Sequence, residues 1–222
     1  HLTPMRHRLN LTIRGNVFVR RLLIEGSKTV GVEAESGGET FRIESDSVVL
    51  SAGALKSPHI LMLSGIGPKD QLEQFGIPVV QDLPGVGAQL WNHPQSSVSF
   101  RVKDGIELAS NAGALRFGLR VTSEPPSQSN DVMLQTLGVF NVVSGEVVPD
   151  GTARISCALE LPDGAGWLRL ASADPTIQPS FNYHYFHDDN DIRRMRYAVR
   201  LAASILESDA YKEVVDERTS PT

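Results

Sequence analysis

The sequence predicts a two-part chain of the α/β plus α+β class. A short apolar run at residues 48–50 ends in Ser51-Ala52-Gly53, which is typical of a strand buried on both faces of an α/β sheet. After about Ser96 the chain changes to short strand-like runs separated by Gly, Pro, Ser and Asp, which favours an antiparallel sheet. The length of 222 residues leaves room for one large domain or two small ones.

The composition excludes several classes of protein. Hydrophobic residues are 41% and charged residues 21%, so the chain has enough apolar side chains for a folded core. The 21 basic and 26 acidic side chains give a net charge of −5, which argues against nucleic-acid binding. No apolar run reaches the roughly 18–20 residues of a membrane span. A single cysteine, Cys157, excludes an intrachain disulfide framework and multi-cysteine metal sites.

The first elements resemble an antiparallel meander. Loose alternation predicts two short strands within residues 9–23. Residues 29–34 and 39–44 then form a hairpin around Ser36-Gly37-Gly38. The apolar run at 48–50 follows as the predicted buried strand.

Two helices come next. Ser57 and Pro58 are suited to the N-cap and first turn of a helix over residues 59–63, which Gly65 ends. The second helix begins at Pro68 and ends at Gly76, with Leu72 and Phe75 facing inward.

The later part contains strand-like runs, one surface loop and a final helix. The runs are residues 98–102, 132–134, 139–140, 155–158 and 167–170, and the loop is 123–130. The helix spans about 191–207. One face of it carries Ile192, Met195, Val199, Ala202 and Leu206, and the opposite, solvated face carries Arg193, Arg194, Arg196 and Arg200.

Isolated reactive side chains favour structural roles. His184 and His187 precede a helix beside Asp188, so capping and turn formation is preferred to metal binding. Cys157 alternates with apolar residues and is interpreted as a core residue. His59 is interpreted as a structural histidine whose hydrogen bonds are satisfied. No G-x-S-x-G motif supports a serine nucleophile.

The glycine-rich segments are more informative. Residues 53–67 follow the predicted buried strand, and small residues there let the backbone approach a ligand. Gly85 and Gly87 offer a second close approach. Neither segment has the G-x-G-x-x-G pattern, so the residues alone indicate only a nucleotide-associated α/β domain.

The run GALKSPHILMLSGIG at residues 53–67 resembles the second signature of the glucose–methanol–choline (GMC) oxidoreductase family at every constrained position. Segments on both sides of this run also resemble the family. They are residues 17–23, 30–32 and 48–53 before it, and 82–87, 90–94, 166–170, 174–175 and 179 after it. Gln89 and Asn92 depart from the family pattern, which usually shows Asn and Asp there. The resemblance covers nearly the whole chain.

This resemblance implies part of a Rossmann-like FAD-binding domain with an antiparallel-sheet substrate-binding domain. Residues 1–95 belong to the first and 96–190 to the second. Residues 191–222 supply a helix of the substrate domain and the start of the return to the FAD domain. The N-terminal dinucleotide turn and the C-terminal catalytic segment are not matched, so the catalytic histidine is expected beyond Thr222 and the chain is interpreted as a fragment. Localisation stays open, with the cytoplasm favoured.

The resemblance also implies the activity and the site. The cofactor is FAD, and hydride passes from an alcohol CH–OH carbon to the flavin. The acceptor that reoxidises the flavin is oxygen or another compound. Cofactor-binding residues are Val19, whose backbone meets the adenine, with Ala52, Gly53, Asn92 and His93. Two alternatives are a flavin-containing hydroxynitrile lyase and a non-catalytic fragment that cannot retain FAD.

The substrate side is expected on the strand at 129–140. Alternation puts Asp131, Met133 and Gln135 on one face and Val132, Leu134 and Thr136 on the other. Met133 and Gln135 would line the pocket, or that face would meet solvent. The central positions carry no carboxylate, so an uncharged alcohol is preferred to a quaternary ammonium. No metal site is expected.

Overall fold

The computed structural model describes residues 2–106, 115–124, 128–137 and 151–221. The chain divides into two compact units. The first comprises His1–Leu90 and Gly166–Asn182, and the second Trp91–Ala165 and Tyr183–Thr222. The break after Leu90 lies near the expected boundary at residue 95. Residues 166–182 return to the first unit, which the contiguous division of the sequence did not anticipate.

The first unit contains the predicted meander. Strands β1 (Phe18–Glu25), β2 (Lys28–Ser36) and β3 (Glu39–Glu44) form an antiparallel sheet in the order β1-β2-β3. Ion pairs between Arg20 and Glu35 (2.5 Å) and between Arg21 and Glu33 (2.9 Å) join β1 to β2. The prediction of two strands within 9–23 is wrong, because strand structure begins only at Phe18. Asn16, with φ 56°, interrupts the extended backbone just before it.

The predicted buried strand at 48–50 is not formed, and Val49 is 84% exposed. A strand buried on both faces needs parallel neighbours. Among the described residues the only parallel pairing joins two short strands, β4 (Ile66–Gly67) and β5 (Gln81–Asp82). Residues 48–50 therefore have no strand partner among the described residues.

Helix α1 spans Gly53–Leu63 and begins six residues before the predicted start at His59. The Ser57 hydroxyl accepts a hydrogen bond from the Ala52 N–H (3.0 Å), so Ser57 supports the helix start from inside the helix. Pro58 is the sixth residue of α1, beyond the first turn, so it removes the hydrogen bond that an N–H at this position would donate to the carbonyl of residue 54.

Helix α2 (Lys69–Gln74) agrees with the sequence. Pro68 is its N-cap residue, Leu72 is fully buried, and the Asp82 carboxylate accepts the Lys69 N–H at 3.1 Å. Leu72 lies in the core of the first unit. The other buried members of that core are Met62, Leu63, Leu168 and Leu170.

Two short strands complete the first unit: β10 (Trp167–Arg169) and β11 (Ser180–Asn182), which pair antiparallel. The prediction that 167–170 belongs to the second sheet is therefore wrong. The reason is packing, since Leu168 and Leu170 fill the core under α2. Backbone pairing adds to this, because the Leu168 N–H donates to the Gly87 carbonyl at 2.8 Å.

The second unit contains the predicted antiparallel sheet. Its five strands are β6 (Gln95–Val102), β7 (Leu115–Val121), β8 (Val132–Leu137), β9 (Thr152–Leu159) and β12 (Val215–Ser220), in the order β12-β6-β9-β8-β7. Every pairing is antiparallel. The strand predicted at 139–140 lies outside the described residues, as do 125–127 of the predicted loop.

Helix α3 (Asp189–Leu206) packs on one face of this sheet. Met195, Ala202 and Leu206 are buried as predicted, Val199 is partly buried against the same core, and Ile192 is half-buried. Arg193, Arg196 and Arg200 are exposed, but Arg194 is fully buried, so its assignment to the solvated face is wrong. No helix within the described ranges has the length and apolar character to span a bilayer.

Candidate functional site

An apolar groove of about 490 Å³ lies in the first unit between the start of β1 and α1, and we call it the β1–α1 groove. Val19 and Ala52, two of the predicted cofactor residues, line it together. The remaining lining residues are Val17, Phe18, Val32, Val48, Val49, Leu50, Ser51, Lys56, His59, Ile60, Leu63 and Pro175. Its walls are mainly aliphatic, with few polar side chains.

Helical periodicity explains why α1 forms one wall. Lys56, His59, Ile60 and Leu63 stand at positions i, i+3, i+4 and i+7 and therefore share one face. The end of α1 is tied to β1 by Ser64, whose hydroxyl accepts the Leu22 N–H (2.8 Å) and donates to the Ile60 carbonyl (2.6 Å). This bridge fixes the distance between the two walls.

Gly53 is the first residue of α1 and has φ +84°, a conformation that favours glycine. A Cβ atom at this position would meet no atom of the protein within 4 Å. Within the described part of the chain, the positive φ is therefore the only structural reason for a glycine at position 53. The close approach of a cofactor to Gly53 stays a prediction.

His59 is 2% exposed, and its Nε2 atom has no hydrogen-bond partner among the described residues. Burial, and secondarily the nearby charge of Lys56, lowers the pKa of the imidazole to about 4. The ring is therefore neutral at physiological pH. The prediction of a histidine with satisfied hydrogen bonds is wrong for Nε2, because no described residue offers this atom a donor or an acceptor.

Asn92 and His93 lie in the second unit, just before β6. The His93 N–H donates to the Asn92 side-chain oxygen at 2.9 Å, and His93 Nδ1 is 3.5 Å from a Glu160 carboxylate oxygen. Both residues line a second pocket of about 430 Å³, with Trp91, Gln128, Glu160, Leu161 and Pro162. Their role toward a cofactor stays a prediction.

Met133 and Gln135 share one face of β8 and are half-buried, with the Gln135 amide nitrogen 3.5 Å from the Met133 sulfur. Val132 and Leu134 point the other way, into the core beneath α3. The register places Ser156 opposite Gln135, so Ser156 and its alternate neighbour Arg154 belong to the same face as Gln135. This face, which we call the Gln135 face, is polar.

Asp131 does not belong to the Gln135 face. It is fully buried, accepts hydrogen bonds from the Ser123 N–H (2.8 Å) and hydroxyl (2.7 Å), and contacts Arg194 at 3.1 Å. Burial opposes the charged carboxylate, but the hydrogen bonds from Ser123 and Arg194 outweigh it and hold the pKa of Asp131 below its usual value. Alternation fails here because Asp131 precedes the first residue of β8.

Three carboxylates, of Asp163, Asp188 and Asp191, have oxygens within 4.8 Å of one another. They already accept protein donors. Asp191 takes the N–H groups of Asp163 (3.0 Å) and Gly164 (2.9 Å) and pairs with Arg194, while Asp188 caps α3 through the Asn190 N–H (2.8 Å). The predicted capping role of Asp188 is confirmed. The trio holds the loop at 163–164 against the start of α3.

Sequence reasoning missed Arg194, although a signal was present. Asp191, Arg194, Met195, Ala198 and Ala202 follow the i, i+3, i+4, i+7, i+11 spacing of one helix face, and all five are buried. Assigning every arginine to the solvated face ignored this spacing. The absence of a described partner for Nε2 of His59 had no comparable signal, because it depends on which side chains surround the ring.

Comparison with known proteins gives the family. Two family models, both described as GMC oxidoreductase, match this chain: an N-terminal model over residues 1–95 and a C-terminal model over 162–222. Together they cover more than half of the chain.

Individual relatives agree. A 5-(hydroxymethyl)furfural oxidase from Methylovorus sp. is 33% identical over 202 residues, which are 89% of this chain and 36% of that protein. The mitochondrial choline dehydrogenase of Homo sapiens is 32% identical, over 95% of this chain and 39% of the relative.

Among solved structures, a pyridoxine 4-oxidase from Mesorbium loti superposes with a TM-score of 0.88 at 25% identity, over 98% of this chain and 44% of that one. The chain thus spans less than half the length of each of these three proteins. It belongs to the GMC oxidoreductase family.

Proposed function

We propose that the protein acts in the FAD-dependent oxidation of an alcohol. The observation that carries this proposal is the match of both family models, over residues 1–95 and 162–222. The names of the relatives, two oxidases and a dehydrogenase, support it. The first unit would bind the cofactor and the second would bind the substrate.

The β1–α1 groove fits the adenine half of FAD. It is apolar, measures about 490 Å³, and has His59 as one of its few polar lining residues. Aliphatic walls with few polar groups are typical of sites for flat heteroaromatic ligands. β1 is also an edge strand of its sheet as described, so its outer backbone groups are available to a ligand near Val19.

The chemistry supplied by the bound cofactor is acceptance of a hydride from the alcohol carbon. The residues of this chain would orient and desolvate the reactants. Val19, Ala52 and Gly53 would hold the cofactor, and Asn92 and His93 are further candidate cofactor contacts.

The Gln135 face supports an uncharged alcohol as substrate. Met133 offers an apolar contact, and the Gln135 amide can hydrogen-bond a substrate oxygen. Asp131 is buried against Arg194 and gives this face no carboxylate. Arg154 adds a positive charge, and its Nε lacks a partner in the described residues. A quaternary ammonium substrate is therefore disfavoured.

The proposal is tested by anaerobic mixing of the full-length flavoprotein with a panel of alcohols. An alcohol oxidase or dehydrogenase bleaches its flavin absorbance as the substrate is oxidised, with one product carbonyl formed per flavin. A hydroxynitrile lyase of the same family releases carbonyl products without bleaching. A purified protein that carries no flavin and takes up none would instead support the non-catalytic alternative.

A further inference from the structure

Arg154 is a positively charged side chain at the centre of the sheet in the second unit. It lies on β9, the middle strand of the five. Its Nε atom is shielded from solvent without a hydrogen-bond partner, and no carboxylate of the described residues forms an ion pair with its guanidinium. In the same sheet, Arg101 pairs with Asp216 (2.9 Å) and Arg120 with Glu160 (3.2 Å). Charged groups in shielded positions are usually paired, so the guanidinium of Arg154 needs a partner from elsewhere.

The strand register places Arg154 on the Gln135 face. Ala153 and Ile155, its neighbours in β9, are buried in the core with α3, so the side chain of Arg154 lies on the other side of the sheet. The residues directly opposite it are Leu137 on β8 and Ser99 on β6. Neither of these side chains can neutralise a positive charge.

Arg154 is within reach of a molecule that contacts Gln135. The residue opposite Gln135 is Ser156, two positions after Arg154 in β9. Two residues of a strand span about 7 Å, so one small molecule can contact both side chains. Arg154 is half-buried as a whole residue, and its two terminal nitrogens are not shielded as Nε is. The end of the guanidinium is therefore open to a ligand on the Gln135 face.

The chemistry of the guanidinium limits what this ligand can be. Its five N–H groups are donors in a planar fork, and it has no acceptor. An oxygen of a carbonyl or carboxylate group matches this fork, whereas an alkyl group would leave the donors unpaired and an ammonium group would be repelled. A carbonyl group keeps the alcohol uncharged, and a carboxylate is the charged form of the same acceptor.

We propose that Arg154 is a specificity-determining residue whose terminal nitrogens donate to a carbonyl or carboxylate oxygen at the far end of the alcohol substrate. The inference rests on the proposed function in one respect, namely that the Gln135 face receives the alcohol. It goes beyond that function by requiring a second oxygen group in the substrate, about 7 Å from the group that Gln135 contacts.

The test uses the full-length flavoprotein and three alcohols of equal chain length, which end in a carbonyl group, a carboxylate or a methyl group. We expect Arg154→Met to lower kcat/KM by about tenfold or more for a polar alcohol, mainly through KM, and by less than about twofold for the methyl-ended one. Arg154→Lys keeps the charge without the planar fork and should lose less. The control is Arg196→Met on the exposed side of α3, which should leave all three values unchanged.

A second readout does not depend on turnover. Analogues of the two polar alcohols that lack the hydroxyl group cannot be oxidised, and calorimetry measures their binding. At least one of them should bind the unsubstituted flavoprotein, and should bind Arg154→Met about tenfold more weakly.

The outcomes separate this inference from the proposed function. A loss confined to one polar alcohol supports Arg154 and identifies its partner as a carbonyl or a carboxylate. Equal losses for all three alcohols, or no loss, in an Arg154→Met variant that is folded by circular dichroism would overturn the assignment of Arg154 alone. Flavin that no alcohol bleaches in the unsubstituted protein would overturn the proposed function itself.

Discussion

Arg194 shows how one side chain organises the second unit. Its guanidinium is fully buried and contacts the carboxylates of Asp131 (3.1 Å), Asp163 (3.3 Å) and Asp191. It also donates to the Leu161 carbonyl at 2.9 Å. Burial opposes its charge, but the hydrogen bonds to Asp131 and Asp191 outweigh this and raise the pKa of Arg194. Arg194 therefore joins the start of β8, the loop at 161–163 and α3.

We expect Arg194→Met to lower the free energy of unfolding by about 3–5 kcal/mol, because it leaves buried carboxylates without their cation. Urea denaturation followed by circular dichroism measures this. The control is Arg196→Met on the exposed face of the same helix, which should change stability by about 0.5 kcal/mol or less. Equal effects of the two substitutions would refute the role given to Arg194.

His59 should make the protein sensitive to acid. Its pKa is about 4 in the folded protein and 6.5 for an ordinary histidine, as in the unfolded chain, so the unfolded chain binds the proton first as the pH falls. The stability linked to the neutral ring is complete above pH 6.5 and is lost progressively toward pH 4. The maximum loss is about 3 kcal/mol.

Chemical denaturation at several pH values compares the unsubstituted protein with His59→Gln. We expect the stability difference between the two to change between pH 6.5 and 4, in favour of the variant at the acid end. Carboxylates such as Asp131 contribute equally to both proteins and cancel in the difference. A pH-independent difference would contradict the burial of a neutral imidazole.

Gln135 is the residue through which the substrate side can be tested. In the full-length enzyme, Gln135→Ala should lower kcat/KM for alcohols that carry a second polar group by about tenfold, the effect of one lost hydrogen bond. Simple aliphatic alcohols should be little affected. Gln74→Ala, at an exposed position of α2, is the control. An unchanged kcat/KM across the panel would remove Gln135 from the pocket.

Among the elements, the turn at 85–87 has a structural explanation. Gly87 has φ +78°, and a Cβ there would lie 2.3 Å from the Leu168 carbonyl oxygen. The close approach expected at this segment is thus made to β10 within the described structure. The backbone contact between Gly87 and Leu168, which holds β10 in the first unit, therefore depends on the absence of a side chain at Gly87.

Gly87→Ala should therefore destabilise the protein by at least about 2 kcal/mol, through left-handed strain and the clash with β10. Gly85→Ala is the matched control, since no atom lies within 4 Å of a Cβ placed there. Thermal unfolding of both variants decides the matter. Tolerance of alanine at residue 87 would show that β10 does not depend on this contact.

At the scale of the whole molecule, each of the two units carries its own proposed site. One unit has the β1–α1 groove and the other has the Gln135 face. The chain spans 36–44% of the length of the three relatives described above.

We expect the 222-residue chain alone, supplied with FAD and an alcohol, to produce no flavin bleaching. The reason is that these residues match only 36–44% of the length of the three relatives. The full-length polypeptide under the same conditions is the positive control. Bleaching by the short chain would show that one of its own residues acts as the base.

The sequence by itself determined the elements whose signals are local. The hairpin of β2 and β3, helix α2 between Pro68 and Gly76, the antiparallel sheet of the second unit and the inner face of α3 all follow from periodicity and turn chemistry. The GMC family also followed from a local feature, the run at residues 53–67. These patterns can be interpreted without knowing the distant contacts, because they arise from residues that are close together in the sequence.

Only the tertiary structure decided which distant groups meet. Arg194 contacts Asp131, which lies 63 residues earlier in the chain. Leu168, which the sequence placed in the second sheet, packs instead in the core under α2. His59 shares a helix face with Ile60, but periodicity could not show that its Nε2 would have no hydrogen-bond partner among the described residues. A repeating pattern predicts the face on which a side chain lies, whereas its partner depends on long-range packing, which the sequence does not state.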